Sequence, residues 1–151
     1  VPVAVRIANA LPAVNVVAAA ETDPVGTAAA DAADDPAIWR NADDPAASLI
    51  VGTDKKAGLH VYTLDGKSRF FANAGLVNNV DLIDTPAGVI VIASDRNDPR
   101  NSQLALFRLD PAAMTLTALG KVASGPGEAY GICIDAGASN AGKITVFAAI
   151  K

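Results

Sequence analysis

Asp31, Asp34 and Asp35 fall within five residues of one another, with Pro36 behind them and Glu21 and Asp23 ahead. Carboxylates and backbone carbonyls are the ligands that hard cations such as Ca²⁺ take, and a proline that frees a carbonyl from strand pairing would add one more. An acidic turn is the plainer reading of the same run, and its spacing is not that of an EF-hand loop, which needs a Gly and a distal Glu. About twenty residues on come Lys55-Lys56, and later Arg96. Paired ammonium groups suit phosphate as point charges, and a guanidinium can grip it with two parallel bonds. A solvated hairpin tip would also account for them. Amides at Asn78-Asn79, ahead of Val80-Asp81, and the phenol of Tyr130 in Glu128-Ala-Tyr130-Gly131 add weaker polar groups, although Asn-Asn is more often a turn signal. A site holding both signs of charge would take a metal-chelating, highly phosphorylated ligand.

Other phosphate chemistries lack their residues. His60 is the one histidine and sits in a strand-like alternation with no Arg-His-Gly nucleophile motif. Cys133 has Ser139 where a cysteine-dependent phosphatase needs an arginine, and neither a Walker loop nor a dinucleotide fingerprint occurs. Phosphate chemistry here would have to use metal-activated water.

The elements that would position these groups are strands. Beyond residue 35 the apolar residues come in short runs broken by Gly, Asp, Asn and Pro. Strands are expected over Ser48–Thr53, Gly58–Leu64, Val80–Asp84, Gly88–Ser94, Gln103–Leu109, Thr115–Val122, Tyr130–Ile134 and Lys143–Ile150. Turns are expected at Asp65-Gly66 and Pro86–Gly88, and a helical turn only at Asp110–Ala113.

A repeat underlies the strands. Leu59-His-Val-Tyr62-Thr-Leu64-Asp65 matches Leu104-Ala-Leu-Phe107-Arg-Leu109-Asp110 at a separation of 45 residues, and Ile144-Thr-Val-Phe147-Ala-Ala149 matches again 40 later. Each copy follows a strand ending in a polar residue and an acid, Thr53-Asp54, Ser94-Asp95 and, less closely, Ile134-Asp135. Lys55-Lys56 and Arg96 then occupy equivalent places, which in a propeller can share one rim. A period of about 40 to 50 residues with several strands per unit is the mark of propeller blades, although strand pairs of any β-protein look alike. The expected fold is all-β and β-propeller-like, with about three blades of an expected six. Because closure takes about four to eight blades, the chain would be a fragment or something other than a closed propeller.

Composition bounds the rest. The 151 residues, 51% hydrophobic, suffice for one folded domain with a core. A net charge of −4 with scattered basic residues argues against a nucleic-acid surface or a polybasic membrane patch. A single cysteine allows no internal disulfide and leaves the compartment open. Residues 1–20, rich in Ala and Val with only Arg6 charged, read as a leader or a first-strand segment. Asn9, Pro12 and Asn15 interrupt the only candidate membrane span.

Six ordered motifs from Glu21 to Lys151 resemble the N-terminal part of β-propeller phytases, the calcium-dependent alkaline phytases of bacteria. They are Glu21-Thr-Asp-Pro24-Val, DAADDPAIW at Asp31–Trp39, GTDKKAGLHVY at Gly52–Tyr62, LVNNVD at Leu76–Asp81, ASDRN at Ala93–Asn97 and GEAYGI at Gly127–Ile132. The resemblance implies a structural calcium site at Asp35, Asp34, Asp81 and the carbonyls of Pro36 and Val80, with Glu21 near a catalytic calcium cluster. It implies a phosphate-holding set of Lys55, Lys56, Arg96, Tyr130 and Lys151, with Asn78 and Asn79 beside it. Of these, Lys55, Arg96, Tyr130 and Lys151 would act in catalysis, and Lys56, Asn78 and Asn79 in substrate binding. Lys151 departs from the family in its neighbours, Ala149-Ile150 standing where a polar pattern is expected. The implied activity is calcium-dependent hydrolysis of phytate or other inositol phosphates by metal-activated water, in a protein secreted or periplasmic in a bacterium and monomeric when complete. Residues 21–151 would then be the N-terminal part of the catalytic domain. A non-catalytic calcium- and phosphate-binding fragment, or an interaction module without a small-molecule site, are the other readings.

Overall fold

The computed structural model describes residues 15–27, 31–140 and 142–151. Ten strands make up the described fold: β1 (Ala33–Trp39), β2 (Leu49–Asp54), β3 (Gly58–Thr63), β4 (Ser68–Asn73), β5 (Val77–Thr85), β6 (Gly88–Asp95), β7 (Asn101–Asp110), β8 (Thr115–Pro126), β9 (Ala129–Asn140) and β10 (Lys143–Ile150). They form three antiparallel sheets, ordered β1-β2-β3-β4, β5-β6-β7-β8 and β9-β10. The fold is all-β, and among the described residues the sheets do not close into a ring.

Strand alternation stacks the sheets. Successive side chains of a strand point to opposite faces, so in β6 Val89, Val91 and Ala93 join Leu49, Val51, Leu59 and Val61 of the first sheet in one buried cluster. Ile90 and Ile92, on the other face of β6, pack with Ile132, Ile134, Ile144 and Val146 of the third sheet. The middle sheet is therefore covered on both faces, which is why β6 reads as a continuous apolar run.

Two strands differ from expectation. The acidic run suggests a turn or a metal-binding segment with the Pro36 carbonyl free of strand pairing; Ala33–Trp39 is instead a strand, with Pro36 paired opposite Gly52. The carbonyl of Pro36 is thus not freed by a loop. Proline is tolerated there because β1 is an edge strand, where a missing N–H costs no ladder bond. β4, Ser-Arg-Phe-Phe-Ala-Asn, was not anticipated, since it is an outer strand with mostly exposed polar positions. Asp65-Gly66 and Pro86–Gly88 are turns as expected, and Gly66 and Gly88 take φ of 80° and 109°, the left-handed region that glycine enters at no steric cost. At Asp110–Ala113 the chain turns between β7 and β8, held by the Asp110 carboxylate, which accepts the N–H groups of Ala112 and Ala113.

The repeat is real, and its third copy is phased differently. Strands β1–β4 and β5–β8 correspond, and both first strands carry a register shift at the same place, between Ala33 and Pro36 and between Val77 and Val80. In the third sheet the same step appears where Ala148 pairs Ile132 and Ile150 pairs Ala129. β10 is therefore the counterpart of β2 and β6, not of β3 and β7. Ile134-Asp135 lies inside β9 and does not end a second strand. Second and third strands of each unit carry the same aliphatic alternation, so spacing alone could not separate them.

Of the leader or first-strand segment expected over residues 1–20, residues 1–14 lie outside the described residues. Further on, Asp23 donates its N–H to the Gly66 carbonyl, and its carboxylate pairs with Lys67 at 3.0 Å. This fastens the N-terminal segment to the β3–β4 turn.

Candidate functional site

Each sheet ends its second strand with a basic residue held in the same way. The N–H groups of Lys55, Arg96 and Lys151 donate to the carbonyls of Ala32, Leu76 and Glu128 at 2.8, 2.8 and 2.9 Å, in each case the residue just before the first strand. The bulge that starts each first strand sets this crossing. In the first two units a hydroxyl ties it down: Asp35 N–H donates to Thr53 Oγ1 at 2.9 Å and Asn79 N–H to Ser94 Oγ at 2.8 Å. In the third, Ala149 stands where Thr53 and Ser94 do, and Ile150 where Asp54 and Asp95 do.

The cations meet the second residue of their first strand, whose chemistry differs each time. Lys55 Nζ lies 3.7 Å from Asp34 Oδ1. Arg96 Nη1 donates to Asn78 Oδ1 at 3.2 Å. Lys151 Nζ stands 4.9 Å from the centre of the Tyr130 ring. The structure thus gathers Lys55, Arg96, Lys151, Asp34, Asn78 and Tyr130 onto equivalent positions of three successive sheets. Asn79 accepts from the Asn78 amide at 2.6 Å, and Lys56, exposed, follows Lys55 in the hairpin loop.

Counter-charges accompany the cations. Lys55 Nζ also pairs with Asp31 Oδ1 at 2.6 Å, and Arg96 Nη1 lies 3.3 Å from Glu128 Oε1. Asp31 holds φ of 61°, a left-handed conformation that Asp tolerates better than most residues. Its hydrogen bond from the Lys55 ammonium, with the nearby charges of Lys55, Lys56 and Arg96, lowers its pKa below the ordinary 3.8. Lys55 is raised above its ordinary 10.5 chiefly by the same bond; burial opposes this, and Asp34, Asp31 and Tyr130 reinforce it. These couplings place the first, second and third units' groups within one electrostatic neighbourhood. Arg96 Nε is buried and without a hydrogen-bond partner among the described residues, so one arm of the guanidinium has an unused donor.

The sign of the pH dependence follows. Asp31, whose pKa is depressed in the fold, favours the folded chain above the ordinary carboxylate value and loses that contribution as pH falls through its lowered one. Lys55, raised, contributes below its ordinary value and loses it as pH climbs through the raised one. The pair is thus complete across the whole neutral range. In a carbon-detected titration of the metal-free chain, the Asp31 carboxyl is expected to titrate below 3.8 and to move back toward it in Lys55→Met. An unchanged midpoint in that variant would remove Lys55 as the cause.

The acids divide into two groups. Asp35 Oδ2 accepts the Val80 N–H at 3.0 Å, and Asp81 accepts from Leu82 at 2.8 Å and from Ile134 at 2.7 Å. These two carboxylates therefore stitch the first strand of one sheet to the first strand of the next, and Pro36 and Val80 occupy the same register position in the first two sheets. Glu21 stands apart: its carbonyl lies against Gly66 at the β3–β4 turn, the opposite end of β3 from Lys55. Oxygen donors of this kind suit calcium, yet their number does not complete a site. Among the described residues no three Asp, Glu, His or Cys side chains form a group that could hold a metal ion, and calcium takes about six to eight oxygens.

Two buried acids behind the cations were read from sequence only as markers of strand ends. Asp54 and Asp95 are 0% and 1% exposed. Thr27 Oγ1 donates to Asp54 at 3.0 Å, and Lys121 Nζ meets Asp95 Oδ2 at 2.5 Å. The hint in the sequence was their recurrence before a basic residue. His60, by contrast, is buried against the rings of Tyr62 and Phe71, with its pKa lowered by burial.

This repeated cation geometry coincides with a match to known proteins. Residues 1–145 match the phytase family. The chain is 43% identical over 100 residues to the 3-phytase of Bacillus subtilis (strain 168), an alignment covering 63% of this chain and 26% of that protein. It thus spans about a quarter of that curated relative's length. With nearly the whole sequence inside the family match, the chain belongs to the phytase family.

Proposed function

We propose that this chain supplies part of the active site of a calcium-dependent phytase, a 3-phytase-type phosphoric monoester hydrolase acting on phytate or related inositol phosphates. The observation that carries the reading is the threefold placement of Lys55, Arg96 and Lys151 on one register position, each beside a polar or aromatic partner. A polyphosphorylated ring presents several anions at once, and cations borne on successive sheets match that multiplicity. Arg96 would meet a phosphoryl oxygen through the outer nitrogens of its guanidinium, Nε being buried; Lys55 and Lys151 would hold others as point charges, with Tyr130 donating its hydroxyl. Lys56, Asn78 and Asn79 would line the binding side. Asp34, Asp35, Asp81, Glu21 and the carbonyls of Pro36 and Val80 are the residues we assign toward calcium. When bound, calcium neutralises phosphate charge and makes a bound water more acidic and nucleophilic.

The same reading proposes a β-propeller in which the three sheets are successive blades of about six. Residues 21–151 are then its N-terminal part and residues 1–20 a leader or first strand. The whole protein is proposed to be monomeric, secreted or periplasmic in a bacterium, and without nucleic-acid or membrane partners. The small donor set among the described residues favours one alternative, that the chain alone binds calcium or phosphate without turnover.

Calorimetry of the chain with myo-inositol hexasulfate, with and without Ca²⁺, paired with phosphate release from calcium phytate, tests both. Sulfate-ligand binding with weak or absent turnover is expected. No binding in either condition would refute the phosphate reading, and turnover matching a complete relative would refute the assignment of an incomplete site.

A further inference from the structure

We propose that Asp54 and Asp95 are positioning residues that fix the phosphate-facing cations by closing a buried turn around them; this rests on the reading that Lys55 and Arg96 hold phosphate. Each acid immediately precedes its cation, and its carboxylate accepts the backbone N–H of the residue immediately after it. Asp54 Oδ1 takes the Lys56 N–H at 2.9 Å, and Asp95 Oδ1 takes the Asn97 N–H at 2.8 Å. The cation-bearing residue is therefore clamped on both sides, by its own N–H to Ala32 or Leu76 and by the ring that the acid closes over it.

An aspartate turn alone needs no burial. Asp98, half-buried, and Asp110, exposed, make the same bond to the second residue on, to Arg100 and Ala112. Asp54 and Asp95 do so from inside the protein, where an ionised carboxylate is costly unless fully partnered. Both meet residues from elsewhere in the chain: Thr27 donates a hydrogen bond to Asp54, and Lys121, reaching from β8, forms an ion pair with Asp95 Oδ2, an oxygen that accepts no hydrogen bond among the described residues. Asp95 also accepts from the Asn97 side chain at 2.7 Å, and that amide bonds Ala74 and receives the Leu76 N–H. The arrangement ties the turn around Arg96 to the connection that leads from β4 of the first sheet into β5. Its recurrence in two sheets with unrelated outer partners marks the turn around the cation as the common element. In the third sheet Ile150 provides no such acid, so Lys151 lacks this clamp.

The test is the dissociation constant for myo-inositol hexasulfate in the 151-residue chain, measured for Asp54→Ala, Asp54→Asn, Asp95→Ala, Asp95→Asn, Lys55→Ala and Arg96→Ala. Asparagine keeps the oxygen that closes the turn and removes the charge; alanine removes both. The alanine variants of the acids are expected to bind about tenfold more weakly, with the asparagine variants returning most of that loss, because misplaced binding groups lose effective concentration. If an alanine variant does not fold, hydrogen exchange at the Lys56 and Asn97 amides in the asparagine variant is the second readout, expected to stay slow. Equal affinity of the acid variants and wild type, while Lys55→Ala and Arg96→Ala weaken binding, overturns the positioning role and leaves the phosphate reading intact. Equal losses in Asn and Ala variants, or fast exchange in the Asn variant, also overturn it, because the turn would not be the operative element. Unchanged affinity in Lys55→Ala and Arg96→Ala overturns the phosphate reading itself.

Discussion

Leu59→Ala is expected to lower the unfolding free energy by about 2–5 kcal/mol, the range for removing a fully buried leucine from a packed core. Leu59 is 0% exposed and sits in the cluster that joins the first sheet to the second. A domain of this size has about 5–15 kcal/mol of stability in all, so the variant forfeits a large share of it. Leu59 pairs opposite Thr53, whose hydroxyl ties the bulge beneath the acidic run. The cavity would therefore loosen the hairpin that carries Lys55 as well as the core. Urea unfolding followed by tryptophan fluorescence reads this directly, since Trp39 is the one tryptophan and packs against the same cluster. A shift under about 1 kcal/mol would mean the sheets can collapse onto the gap, contrary to a rigid face-to-face packing.

Arg96→Ala is the second large effect expected, on binding rather than stability. Charge-assisted bonds are worth about 1.5–3 kcal/mol each, so affinity for myo-inositol hexasulfate should fall by about ten- to a hundredfold. Removal of Arg96 also leaves the Glu128 carboxylate, now 3.3 Å from Nη1, unpaired and facing the ligand anion. Arg96→Lys should recover only part of the loss: one ammonium cannot keep the contacts to Asn78 and Glu128 while also meeting the ligand as a planar guanidinium can. Titration calorimetry at fixed ionic strength measures both variants. Full recovery by lysine would show that Arg96 contributes charge alone.

The repeat and its cations were legible in the sequence where chemistry recurs at a fixed place. Thr53-Asp54-Lys55 and Ser94-Asp95-Arg96 announce themselves because a hydroxyl, an acid and a base follow an apolar strand twice. What spacing could not show was that the acids are interior, since burial depends on Thr27 and Lys121 arriving from distant segments. β1 was hidden by its own residues: two adjacent aspartates and a proline argue for a loop, and only the edge position makes them acceptable in a strand. β4 was hidden because only Phe70 and Ala72 of its six residues turn toward the core, too short an alternation to stand out. In the third unit Ala149-Ile150 lacks the marker that phased the first two, so the alternation of β10 was assigned one strand too late. Two of the acids proposed for calcium, Asp35 and Asp81, are engaged in joining strands, a role that depends on which sheets become neighbours.

That joining has a direction. Asp35 receives Val80 from 45 residues later, and Asp81 receives Ile134 from 53 residues later. Trp39 likewise reaches Asp84. In every case a side chain of the earlier sheet's first strand reaches the first strand of the sheet that follows. The first strands are therefore the line along which consecutive sheets are fastened, and a change in one of them would displace its neighbour.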